Sequence, residues 1–192
     1  MHVGTHFFAG WLVAVAPGGL GRRERGLIAF ASVAPDLDGL GIVVEQLTAN
    51  WARPLPWYSL YHHVLGHNIG FALAYAGLTF ALARRRLLAA ALAFLSFHLH
   101  LLFDLAGSRG SDGDQWPIPY LSPFSSALQL TWSGQWVLSS WQNSTLTGVL
   151  LVLVVWAAWR YGRSPLGLFS PAWDAVFVET LRARFGTPAP AR

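Results

Sequence analysis

Hydrophobic and polar positions divide the chain into five apolar segments, roughly 5–20, 26–44, 64–83, 87–106 and 136–159, parted by Gly, Pro or Arg. Their length and character predict helices, most of them near or short of the roughly 20 residues that span a hydrocarbon layer. From Thr145 to Trp159 the fifth holds no ionisable side chain and reads as a simple lipid-facing helix. The other four carry His or Asp, so they are expected to face one another around a shared interior. After Arg163 come Pro165, an amphipathic stretch from Trp173 to Phe185 and a Pro/Ala end, read as an interfacial tail. The pattern predicts an all-α, membrane-embedded bundle of about five helices over residues 1–163, with an amphipathic and disordered C-terminal tail over 164–192.

Composition strengthens the membrane reading. The chain is 54% hydrophobic and 11% charged, where a soluble domain carries about 25% charged residues. Its 13 basic residues are all Arg, set in short clusters beside apolar runs. That placement suits membrane flanks and argues against nucleic acid as a partner. The absence of Cys excludes disulfides, thiolate metal sites and a cysteine nucleophile. The run Phe7–Ala16 lacks a preceding basic region and is followed by Pro17, so it is expected to be retained rather than cleaved.

Arginine placement also sets a topology. Arg22, Arg23 and Arg25 separate segments one and two, Arg84–Arg86 separate three and four, and Arg160 and Arg163 follow five. These alternate turns belong on one side, cytoplasmic by the positive-inside rule, leaving only Arg53 and Arg109 on the other. The expected location is an inner membrane of bacterial type.

Candidate chemistry gathers at the Arg-poor end. His100 and Asp104 lie about 40° apart on one helical face, an i, i+4 pair that suits either a metal site or a buried hydrogen bond. His6 opens segment one, Asp36 and Asp38 lie toward the end of segment two, and His62, His63 and His67 open segment three. Histidines with unrelated structural roles would scatter between the two ends, so this convergence favours one metal site. Imidazole and carboxylate donors without thiolate suit Zn first, with Mn, Fe or Co also accommodated, as one or two ions. Taken alone, Pro35-Asp36-Leu37-Asp38-Gly39 would read as a turn. Helical spacing pairs His63 with His67 and leaves His62 just before the helix. His98 points away from His100 and reads as a supporting or interhelical hydrogen-bonding group; His2 is expected in solvent. The stretch Gly107–Pro117 reads as a turn or rim, with Arg109 the candidate for meeting an anion and Trp116, Trp132, Trp136 and Trp141 an interfacial belt.

His6 with Gly10, Pro35-Asp36-Leu37-Asp38, His62-His63-Val64-Leu65-Gly66-His67 and His100-x-x-x-Asp104, in that order, resemble the membrane-bound metal-dependent hydrolase family that includes LexA-regulated inner-membrane proteins. The likeness covers roughly residues 1 to 125, and the same order is more distantly similar to the helical zinc-dependent phospholipases C. It implies that His6, Asp36, His62 or His67, His100 and Asp104 bind metal, with Asp104 a bridge and Asp38 a second ligand or base. His63 stands where the family usually has Arg, and Gly66 where it has Thr. No His follows His100, which argues against a three-zinc centre.

Together these features predict a metal-dependent hydrolase with its site at the non-cytoplasmic end, cleaving an ester or phosphoester of a small-molecule or lipid substrate with a metal-activated water. Asp38 is the candidate general base. Membrane lipids are the expected surroundings. The rival class is a non-enzymatic membrane protein that binds or transports metal, for which ligands near mid-membrane on broken helices would be expected.

Overall fold

The computed structural model describes residues 1–111 and 113–189. The chain is mostly helical: α1 (Val3–Val15), α2 (Arg22–Ala31), a 3-10 helix (Ala34–Leu40), α3 (Gly41–Thr48), α4 (Trp57–Tyr61), α5 (Ile69–Leu82), α6 (Arg86–Gly107), α7 (Trp141–Tyr161), a second 3-10 helix (Pro165–Leu168) and α8 (Pro171–Phe185). A short antiparallel pair, β1 (Ile118–Pro119) and β2 (Gln129–Leu130), joins Ile118 to Leu130 and Pro119 to Gln129 between α6 and α7.

The long helix α6 is the axis of the fold. Its buried positions Ala89, Ala93, Ser96, Phe97, His100, Leu101, Asp104 and Gly107 form one stripe at helical spacing, while Leu87, Leu95 and Leu102 on other faces are exposed. Small side chains at the Arg-rich end of the stripe let α1 and α2 approach closely, through Ala14, Ala29 and Ala31, while α7 packs on α1. Larger side chains, Phe97, Leu101 and Ile118, fill the second half beside α5. Gly10 shows how tight the α1–α2 contact is: a Cβ there would lie 2.2 Å from Ser32 Oγ and 2.7 Å from the Ala29 carbonyl.

Among the described residues two helices, α6 and α7, are long and apolar enough to cross a membrane; α2 with the 3-10 helix and α3 makes a third span if that bent pair counts as one. Segment two is thus not the single helix expected over 26–44. It bends by 59° at the break, because Pro35 has no N–H to continue the helical ladder and the chain tightens into a 3-10 turn. Segment three begins as helix only at Ile69, where Asn68 caps α5 by accepting from the Phe71 N–H at 2.9 Å.

The three Arg-rich turns meet at one end. Glu24 accepts the backbone N–H groups of Gly21 (2.5 Å), Arg84 (3.1 Å) and Arg85 (2.8 Å), and Arg22 donates to the Leu168 carbonyl at 2.8 Å. Asp104 lies 18 residues along α6 from Arg86, about 27 Å away at 1.5 Å per residue. His100 and Asp104, with the histidines and aspartates gathered around them, therefore sit at the far end of the molecule from the arginine clusters, whereas Asp174 lies at the arginine end, accepting from Ser164.

Candidate metal centre

Three elements deliver four donors to a common point: Asp36 from the 3-10 helix, His67 from the loop before α5, and His100 with Asp104 from α6. One ligand atom from each lies within 4.8 Å of all the others. His100 Nε2 is 2.9 Å from Asp104 Oδ2, 3.1 Å from His67 Nε2 and 3.7 Å from Asp36 Oδ1. His67 Nε2 is 3.4 Å from Asp104 Oδ2 and 3.9 Å from Asp36 Oδ1. Bonds of about 2.0–2.1 Å in a tetrahedron imply ligand separations of about 3.3–3.4 Å, and the five observed distances straddle that value. A metal ion fits this group.

The outer hydrogen bonds say more than the distances. His100 Nδ1 lies 2.8 Å from the Ser32 carbonyl, which can only accept, so this nitrogen carries the proton. His67 Nδ1 lies 3.1 Å from Asp38 Oδ2 and donates to that carboxylate. In the neutral form each ring then presents a bare Nε2 lone pair to the other. Two lone pairs 3.1 Å apart repel unless a cation or a proton lies between them. Orientation of metal-binding imidazoles by a carbonyl or carboxylate on the far nitrogen is the usual device of such sites. Among the described residues Asp36 Oδ2 is buried without a hydrogen-bond partner, a further acceptor lacking a counterpart. His67, His100 and Asp104 are sealed from solvent, whereas the Asp36 side chain keeps 19% of its surface exposed.

Asp38 stands behind the cluster. It accepts from His62 Nδ1 at 2.8 Å, from His67 Nδ1 and from the Gly66 N–H at 2.9 Å. Burial works against a charge on His67, but its hydrogen bonds to Asp104 and Asp38 and the charges of both push the imidazole up to about 9. Gly66 makes the loop possible: a Cβ there would sit 2.1 Å from the Pro35 carbonyl oxygen.

The other expected site residues lie around this group. His62 is held by Asp38 and stacks on Tyr58 at 4.6 Å, two hydrogen bonds removed from the four donors. His6 reaches Asp104 Oδ1 at 3.1 Å through Nε2 and stacks on His100 at 3.8 Å. The Met1 amino group and Ser108 Oγ meet the same carboxylate oxygen. His63 and His67 stack at 4.4 Å, through a loop rather than the helical turn their spacing suggested. His98 is directed elsewhere, bridging the Phe94 carbonyl and the Tyr120 hydroxyl at 2.8 and 2.9 Å, and ties α6 to the turn that follows β1. His2 is exposed.

Two cavities adjoin the cluster and share Trp116. One, of about 380 Å³, is lined by Tyr58, His62, His63, Val64 and Pro117 among others. The second, of about 430 Å³, is lined by His2, Ser108, Arg109, Ser111 and Ser139 among others. Arg109 donates to the Ser133 carbonyl at 3.2 Å. Asp112 of the same loop lies outside the described residues.

Three contributors were not legible beforehand. Ser32 acts through a carbonyl left unpaired at the end of α2, which no side-chain pattern marks. Gln135 donates to the Asp104 carbonyl at 2.8 Å from a loop distant in sequence. Ser108 Oγ donates to Asp104 Oδ1 at 2.7 Å, and its i+4 spacing from Asp104 was the available signal. Compared with protein-family models, curated proteins and solved structures, the chain matches none.

Proposed function

We propose that the protein is a membrane-bound, metal-dependent hydrolase that cleaves an ester or phosphoester. The observation that carries this reading is the pair of Nε2 atoms 3.1 Å apart with both Nδ1 protons committed elsewhere. Asp36, His67, His100 and Asp104 would hold the ion, zinc being the best match to two imidazoles and two carboxylates. A divalent ion there supplies Lewis acidity, polarising the scissile group and lowering the pKa of water. Asp38 orients His67 and His62 instead of taking a proton from water, since three donors already occupy its oxygens. Asp36, the one donor with exposed surface, marks the side from which a substrate arrives. His6 and Ser108 fix the second oxygen of Asp104.

The five apolar helices would form the embedded bundle in a bacterial-type inner membrane, with the arginine-rich end cytoplasmic and the metal centre at the opposite face. Lipid esters are the substrates such a location presents, and the order of the four short motifs, similar to membrane-bound metal-dependent hydrolases, supports the same reaction class. A bound metal with a structural or transport role is the competing reading, supported by the burial of three of the four donors. Phosphoesters and phospholipids offered with and without chelator separate the two. Turnover that stops on chelation and returns with zinc is expected; turnover indifferent to chelation, or none on any ester, contradicts the hydrolase.

A further inference from the structure

His63 combines three features that no neighbouring residue brings together. Its backbone is left-handed, at φ 67°, and it is the one non-glycine residue among those described with positive φ. A β-carbon disfavours that conformation, and residues held in it cluster at ligand-binding and catalytic positions. The side chain is 7% exposed, and its buried Nδ1 has no hydrogen-bond partner among the described residues. Its ring forms part of the wall of the 380 Å³ cavity, with Trp116 edge-on at 4.7 Å on one side and His67 stacked at 4.4 Å on the other.

Packing alone does not account for this arrangement. A buried apolar ring would fill the same slot without an unpaired nitrogen, and Gly or Asn would take the same backbone without strain. His62, next in sequence, satisfies its Nδ1 on Asp38, so the loop can supply partners where a structural role calls for them. A neutral imidazole in this position has one N–H to donate.

We propose that His63 is a substrate-contacting residue, its imidazole donating a hydrogen bond to an anionic oxygen of a phosphoester lodged in the cavity beside the metal centre. The walls formed by Tyr58, Val64, Trp116 and Pro117 would take the apolar part of that ester. The assignment rests on the metal-hydrolase reading, because it places the donor one stacked ring from a metal-binding imidazole.

The test uses full-length protein in detergent, loaded with zinc and freed of excess, with inorganic phosphate as the probe. Zinc content, thermal midpoint and phosphate affinity by calorimetry are compared for wild type, His63→Gly and His63→Asn. The assignment expects His63→Gly to keep its zinc, to melt no lower than wild type because the backbone strain is relieved, and to bind phosphate at least tenfold more weakly. If His63→Gly loses zinc or fails to fold, His63→Asn, which also accepts the left-handed backbone, is read by the zinc and phosphate criteria. Unchanged phosphate affinity in a zinc-bearing variant, or a zinc-bearing wild type that binds no phosphate, overturns the role of His63 and leaves the metal centre standing. A wild type that takes up no zinc overturns both.

Discussion

Two imidazole nitrogens facing each other across 3.1 Å need positive charge between them, and either a metal ion or a proton can supply it. The pairing of His67 with Asp104 and Asp38, which holds its pKa near 9, makes the proton the competitor at neutral pH. Metal binding must therefore release that proton. Below about pH 9 the apparent affinity should rise about tenfold per pH unit, or about 100-fold between pH 6 and 8, as measured by competition with a chromophoric chelator; a flat profile would mean that His67 is not a ligand. The same shift acts on the metal-free fold with a definite sign. A histidine whose folded pKa lies above its unfolded value contributes stability that is complete below about pH 6.5 and lost as pH rises through about 9.

The elements show which parts of this arrangement the sequence could reveal. The helices α6 and α7 run over Arg86–Gly107 and Trp141–Tyr161, close to the segments 87–106 and 136–159, because both are long, apolar and bounded by Gly or Arg. Helical spacing was enough to pair His100 with Asp104. It could not separate Asp36 from Asp38, which depart in opposite roles from one 3-10 turn: at about 120° per residue, positions two apart face different ways. Nor could it foresee that residues 62–68 form a loop, since that loop depends on Gly66 lying against Pro35 and on Asn68 bonding back to the carbonyls of Val64 and Leu65, both at 2.9 Å. Gly66→Ala tests this directly. Its methyl group would meet the Pro35 carbonyl, so a loss of about 1–3 kcal/mol is expected from overpacking, together with weakened metal binding as His67 moves; urea unfolding and chelator competition read the two effects. A variant as stable and as tightly metallated as wild type would show that the close approach carries no weight.

At the scale of the molecule, polarity is divided between two ends. Glu24 gathers the arginine-bearing turns at one, and the convergence of His and Asp marks the other. Between them α6 and α7 expose Leu87, Leu102, Val152 and Trp156, side chains that suit lipid better than water. The chain has no Cys, so single cysteines report sidedness cleanly. In intact cells a membrane-impermeant maleimide should label Ser126→Cys near the hairpin and spare Arg23→Cys, and the reverse pattern would invert the orientation. The proposed chemistry turns on a bound ion. Metal analysis of purified wild type, His100→Ala and Asp104→Ala tests it most directly: about one equivalent or more of a divalent metal in wild type and almost none in either variant is the predicted result, whereas a metal-free wild type, or variants that keep their full complement, would contradict it.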